Sequence, residues 1–205
     1  MVYDYLVTHY KDGEPIFSSD IEIESVSHDN LRQQLKKLVD DGSLKRFEDG
    51  IYYFPKEGSI GTKSISSIRV AEEKYIERKG KRVGFYSGFT FANQMGISVQ
   101  VPTTREIVSN NMSAIKREIQ LGKQSFIIRK APTEINEENY KVLQLLDLLK
   151  GIDVYSDNLM EAQNRLKTYI KKSRLSRDLV DEYIQLFPLK VYKNIYEMRL
   201  DNVFA

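Results

Sequence analysis

Residues 26–55, VSHDNLRQQLKKLVDDGSLKRFEDGIYYFP, constrain the fold more than any other stretch of this chain. Leu31, Leu35, Leu38 and Val39 recur at helical spacing and form one apolar stripe. Ser27 stands where a hydroxyl caps a helix N-terminus. Asp29 lies in the first turn, where the helix dipole favours a carboxylate, and Gly42 supplies a positive-φ exit. This spacing predicts a helix running to Asp41. The β-prone runs SLKRF and IYYFP then flank Glu48-Asp49-Gly50. Asp-Gly in that place predicts a hairpin with a type I′ turn, whose two central residues both need positive φ, and Pro55 ends the second strand. Upstream, Val2, Leu6, Val7 and Tyr10 predict a helix that stops at Asp12-Gly13, and Ser18 or Ser19 is placed to cap a second, short one. Helix, helix, turn, helix, hairpin is the order of a winged helix-turn-helix.

Beyond it, KEGSIGTKS reads as a linker. Residues 64–79 read as helix, RVGFYSG as a strand leaving on Gly88, and FTFANQMG as a short helix stopping at Gly96. ISVQVP, REIVSN and QSFIIRK read as strands. Thr133 is placed to cap a helix that Gly151 closes. Three more helices are expected, around Leu159–Ile170, from Ser176 to Phe187 and from Leu189 to Leu200. The predicted class is therefore α+β: a winged helix-turn-helix domain over residues 1–57, then an α+β domain over 64–205 that ends in a helical segment.

Composition excludes more than it assigns. The net charge of +2 makes no global field for nucleic acid or membrane, and the absence of cysteine removes disulfides and thiolate metal sites. The start, MVYDYLVTHYKDGE, has neither the basic region nor the apolar run of a signal peptide, and no stretch nears the roughly 20 apolar residues of a membrane helix. A cytoplasmic location is expected. Catalytic patterns are missing too. The two histidines, His9 and His28, sit at a helix end and a helix start. GFYSG has its serine one place too late for a nucleophile elbow, and GSIGTKS lacks the lysine-hydroxyl ending of a phosphate loop. No catalytic residue, cofactor or metal site is expected. The 13 Tyr and 9 Phe are spread at core-like spacing and read as core and interface.

The chemistry that remains lies on the leucine-keyed helix. With its leucines inward, Gln33, Lys36, Lys37 and Asp40 turn outward, and Asn30 and Arg32 lie on the flanks. Asn and Gln can bond adenine bidentately in the major groove, Arg can do so to guanine, and lysines suit phosphates. Lys45 and Arg46 stand on the hairpin, where a wing touches the adjacent backbone. The same face also fits an ordinary solvated helix. Residues 1–56 carry seven Lys or Arg against eleven Asp or Glu, a net of −4, so the remainder carries +6. RKGKR at 78–82 and KKSRLSR at 171–177 hold much of that excess, either as solvated helix ends or as phosphate contacts.

The segment NLRQQLKKLVDDGSLKRFEDGIYYFPK resembles the N-terminal winged helix of AbiEi-type antitoxins, regulators in bacterial abortive-infection toxin-antitoxin pairs. GFYSGFTFANQMGISVQVPTTREIVSNN, with ENYKVLQLLDLL after it, is similar to the C-terminal region of an AbiEi-like branch. The resemblance implies a repressor that binds inverted repeats in double-stranded DNA at its own promoter. It also implies a functional link to a nucleotidyltransferase-like toxin that need not be touched directly. The positions it assigns to DNA are Asn30, Arg32, Gln33, Lys36 and Lys37 on the helix, with Lys45 and Arg46 on the wing. Two other readings stay open: an interaction module using the winged helix and the Tyr-rich C-terminal half, and a metal-dependent nuclease built on REIVSN and SFIIRK.

Overall fold

The first helix, α1 (Val2–His9), carries Val2 and Leu6 into a core and stops before the positive-φ Gly13. Its last residue, His9, stacks on Tyr5 and shares a 2.8 Å hydrogen bond with the Tyr5 carbonyl. A computed structural model describes residues 1–58, 61–153 and 159–204 of the chain. Its helices and strands make an α+β protein, divided into two compact units. One comprises Met1–Ala71 with Leu121–Lys123, and the other Glu72–Gln120 with Gln124–Ala205. The first unit thus runs beyond the expected boundary at residue 57. No helix among the described residues is long and apolar enough to cross a membrane.

In the first unit, strand β1 (Ile16–Phe17) leads into a single 3-10 turn at Ser18–Asp20. A second short helix capped by Ser18 or Ser19 was expected there; it is present only as this one turn, with Phe17 rather than a serine at its N-cap. Ile21 and Ile23, pointing to the core, follow the turn too closely for a polar helical face to develop. Helix α2 (His28–Asp40) begins where Ser27 Oγ accepts the Asn30 N–H at 3.3 Å and ends at Gly42, φ 83°. The hairpin follows as β2 (Lys45–Glu48) and β3 (Ile51–Tyr53), and β3 also pairs antiparallel with β1. Its turn differs from the type I′ expectation. Gly50 has φ 73°, but Asp49 is not among the positive-φ residues, and the register shifts between Arg46 and Glu48. A bulge takes up the twist that two positive-φ residues would otherwise supply. KEGSIGTKS is more than a linker, since β4 (Lys56–Gly58) and β5 (Gly61–Lys63) pair within it. Helix α3 (Ser67–Tyr75) is shorter than the 64–79 expected.

The reason lies in RKGKR. Strands β6 (Glu77–Arg78) and β7 (Lys81–Arg82) pair across Lys79 and Gly80, which have φ 50° and 72°. The turn requiring two positive φ values is here, so this run is a hairpin tip rather than a helix end. The second unit continues with β8 (Gly84–Tyr86), α4 (Gly88–Gln94) and β9 (Thr104–Ser109). ISVQVP forms no strand, and Val99 and Val101 are 94% and 75% exposed. An unforeseen strand, β10 (Lys116–Leu121), precedes β11 (Gln124–Lys130), giving the sheet order β10-β11-β9-β8. β9 and β11 run parallel and β8 antiparallel to β9.

Helix α5 (Tyr140–Gly151) starts later than Thr133, because Asn136 and Asn139 bond each other's backbone N–H groups at 2.9 and 3.0 Å and hold the chain in a turn. Residues Val142 to Leu149 are all buried, as a central helix requires. Helices α6 (Leu159–Ser173), α7 (Arg177–Ile184) and α8 (Leu189–Glu197) complete the unit. Two buried polar residues of α5 are both satisfied. Gln144 donates to the Tyr86 carbonyl at 2.7 Å and accepts from the Tyr169 hydroxyl at 3.0 Å. Asp147 accepts a two-pronged Arg129 contact at 3.0 and 2.7 Å and a Lys150 contact at 2.8 Å, while Arg129 also donates to Ser87 at 3.0 Å.

Burial pushes the Asp147 carboxyl up, but its bonds to Arg129 and Lys150 outweigh this and hold it below the ordinary 3.8. A carboxyl lowered by folding stabilises the protein fully above that ordinary value, and the contribution is lost as pH falls through the folded value. Asp147→Asn should cost about 3 kcal/mol in urea unfolding at pH 7, by leaving Arg129 unpaired. The gap between variant and wild type should close when the unfolding is repeated well below pH 3.8.

Candidate nucleic-acid interface

The phase of α2 decides which side chains face solvent. Leu31 and Leu35 are buried with Val2, Leu6, Ile16, Ile21, Leu44 and Phe54, while Leu38 and Val39 are partly buried against the same cluster. Asn30, Arg32, Gln33, Lys36 and Lys37 are therefore exposed, and so are Lys45 and Arg46 on β2. All seven residues singled out from the sequence lie on the surface of the first unit.

They do not share one face. A groove of about 760 Å³ runs between α2, the 3-10 turn and the hairpin, lined among others by Arg32, Gln33, Lys36 and Arg46. Asn30, Lys37 and Lys45 are outside it. At 100° per residue, His28, Arg32, Val39 and Lys36 fall on one flank of α2, Gln33 lies beyond them, and Lys37, Asn30 and Gln34 occupy the other. Asn30 is already engaged there, accepting from Gln34 Nε2 at 3.0 Å. Among the described residues, no hydrogen bond or ion pair holds the side chains of Arg32, Gln33, Lys36 or Lys37.

Residues that the sequence did not single out complete the groove. Ser18, Ser19 and Tyr52 line it together with His28, which the sequence placed at the helix start as a DNA-contact or surface residue. Their placement follows from long-range pairing: Ile16 opposes Tyr52, Phe17 opposes Ile51, and the Ser18 N–H donates to the Gly50 carbonyl at 2.9 Å. This pins the 3-10 turn to the hairpin tip. A Cβ on Gly50 would stand 3.1 Å from Ser18 Oγ at φ 73°, so glycine suits the position on both grounds. A two-residue strand such as Ile16–Phe17 carries no periodicity, so the signal could be found only in the fold.

The groove's charge is mixed. Arg32, Lys36 and Arg46 are opposed by Asp40 and Asp49. Arg46 forms an ion pair with Asp49, but the side chains are 52% and 90% exposed, and such a pair is easily exchanged for another anion. Among the described residues, no group of three or more His, Asp or Glu is placed to hold a metal ion. The surface offers two unengaged cations, an amide and a third exchangeable cation along one rigid helix and its hairpin. That set suits phosphate oxygens and base edges.

The cap at Ser27 carries the start of this helix. Ser27→Ala should lower stability by about 1 kcal/mol without changing the folded spectrum, which chemical denaturation followed by circular dichroism would measure.

No curated protein and no solved structure matches the chain. Residues 4–177, most of its length, match the family described as a family of unknown function, DUF6088, and the chain belongs to that family.

Proposed function

We propose that the protein is a DNA-binding transcriptional autoregulator whose first unit is a winged helix-turn-helix, with α2 as the recognition helix and the β2–β3 hairpin as its wing. The single observation behind this is the unoccupied outer face of α2, where Arg32, Gln33 and Lys36 stand exposed beside Arg46. A helix about 10–12 Å across fits a major groove about 12 Å wide. In this reading Gln33 and Arg32 meet base edges, and Lys36 and Arg46 meet phosphates. Asn30, Lys37 and Lys45, off the groove, make peripheral contacts.

The likeness of NLRQQLKKLVDDGSLKRFEDGIYYFPK to AbiEi-type antitoxins supports a narrower form of the proposal. The protein then acts in the bacterial cytoplasm as the antitoxin of an abortive-infection-type pair and represses its own promoter at inverted repeats. Its counterpart is a nucleotidyltransferase-like toxin, linked through function with no contact required. The proposal assigns no enzymatic activity and no cofactor.

Fluorescence anisotropy on the DNA upstream of its own reading frame, at two ionic strengths, tests the DNA-binding part. Gln33→Ala should weaken specific binding by about 1–3 kcal/mol, roughly five- to more than a hundredfold, and relax preference at one base position. Lys36→Ala should weaken binding to all sequences alike and reduce the salt slope by about 1. Wild-type affinity in both folded variants would contradict the assignment of α2.

A further inference from the structure

The first unit is completed from far along the chain, by the three residues Leu121–Lys123. Leu121 is buried, and Gly122 donates its N–H to Glu48 Oε1 at 2.6 Å, across 74 positions of sequence. A backbone N–H on a carboxylate is a charge-assisted bond, stronger than one between neutral groups. Position 122 has room for hydrogen alone. A Cβ there would stand 2.9 Å from Ser67 Oγ and 3.3 Å from Phe47 Cζ, and φ is 53°, so glycine meets both demands.

The place of this contact on the hairpin gives it a role. The register of β2 against β3 shifts between Arg46 and Glu48, which leaves Phe47 without a partner across the hairpin. A bulge interrupts the ladder and re-aims the side chains beside it. Gly122 lies against both residues at the break, the ring of Phe47 and the carboxylate of Glu48. Arg46, which lines the groove beside α2, immediately precedes them.

We propose that Glu48 and Gly122 are positioning residues for the wing: their bond replaces the pairing that the bulge gives up and holds β2 where Arg46 meets a phosphate. The proposal rests on the reading of β2–β3 as a DNA-binding wing. Electrostatics gives it a distinctive sign. A carboxylate on a wing repels a phosphate backbone, so if Glu48 did nothing but carry charge, its removal would tighten binding. As a brace, its removal loosens binding.

Two measurements on the full chain test this. Hydrogen exchange followed by NMR reads the bond itself. The Gly122 amide should be protected in wild type and in Glu48→Gln, which keeps an acceptor oxygen, and should lose protection about tenfold in Glu48→Ala. Fluorescence anisotropy on the upstream duplex reads the consequence. Glu48→Ala should weaken binding roughly five- to tenfold at about 0.1 M salt, the share of one phosphate contact, although it removes a negative charge. Gly122→Ala should do the same with no change of charge, and Glu48→Gln should bind at least as tightly as wild type. In the Glu48→Ala background, Arg46→Ala should weaken binding no further, because the contact it removes is already lost. Circular dichroism checks each fold, and should Glu48→Ala or Gly122→Ala unfold, the other decides. A Glu48→Ala chain that binds as tightly as wild type or tighter, or that keeps full protection at Gly122, would overturn the proposal. A wild type that binds no duplex would instead overturn the DNA reading of the first unit, and this positioning role with it.

Discussion

The burial of Leu31 and Leu35 against Val2, Leu6, Ile16 and Leu44 is the contact on which the rest of the first unit depends. A thirteen-residue helix is marginal in water by itself, and packing makes it permanent. Two fully buried leucines contribute on the order of 1.5–3 kcal/mol each. Their second effect is geometric. By fixing the rotation of α2, they determine that Arg32, Gln33 and Lys36 look outward beside the hairpin, while Lys37 and Asn30, farther round the helix, fall outside the groove. The surface chemistry is thus a consequence of the core.

Charge acts through its distribution rather than its total. The first 56 residues are acidic in sum, yet Asp4, Asp12, Glu14, Asp20, Glu22 and Glu24 precede α2. Arg32, Lys36, Lys37, Lys45 and Arg46 all fall within α2 and β2, against Asp29, Asp40 and Glu48 in the same two elements. A phosphate backbone meeting the outer face of α2 encounters the local cations first, because surface charges beyond about 10 Å are screened at ordinary ionic strength. The net value of −4 therefore understates what that face offers to an anion. In the second unit, by contrast, charge serves the interior: Arg129, Lys150 and Asp147 satisfy one another where an unpaired ion would be costly.

What was legible in the sequence, and what was not, follows from the range of the forces involved. Caps and apolar stripes are local, so α2 with its Ser27 cap, the start of α7 near Ser176 and the strands around Phe85, Ile107 and Ile128 were all legible. Pairings between distant segments were not. β1 has two residues and exists only because β3 offers it an edge, and β10 reads as a charged, exposed run until β11 pairs with it. The turn type misled for a related reason. Asp49-Gly50 has the better local signal, but the bulge between Arg46 and Glu48 satisfies the twist there, and the doubly positive turn falls at Lys79-Gly80. In the candidate site, exposure was legible from helical phase for the five residues on α2 and from their place on the hairpin for Lys45 and Arg46. Their division between two flanks needed the hairpin's position, as did the contribution of Ser18, Ser19 and Tyr52.

The most direct test of the proposed interface is amide chemical-shift mapping as duplex DNA from the chain's own upstream region is added. The proposal predicts that the largest changes fall on Ser18, Ser19, His28 to Lys36, Arg46 and Gly50, with smaller ones elsewhere in the first unit. Changes confined to residues beyond 72, or none at DNA concentrations that saturate a mobility shift, would contradict it.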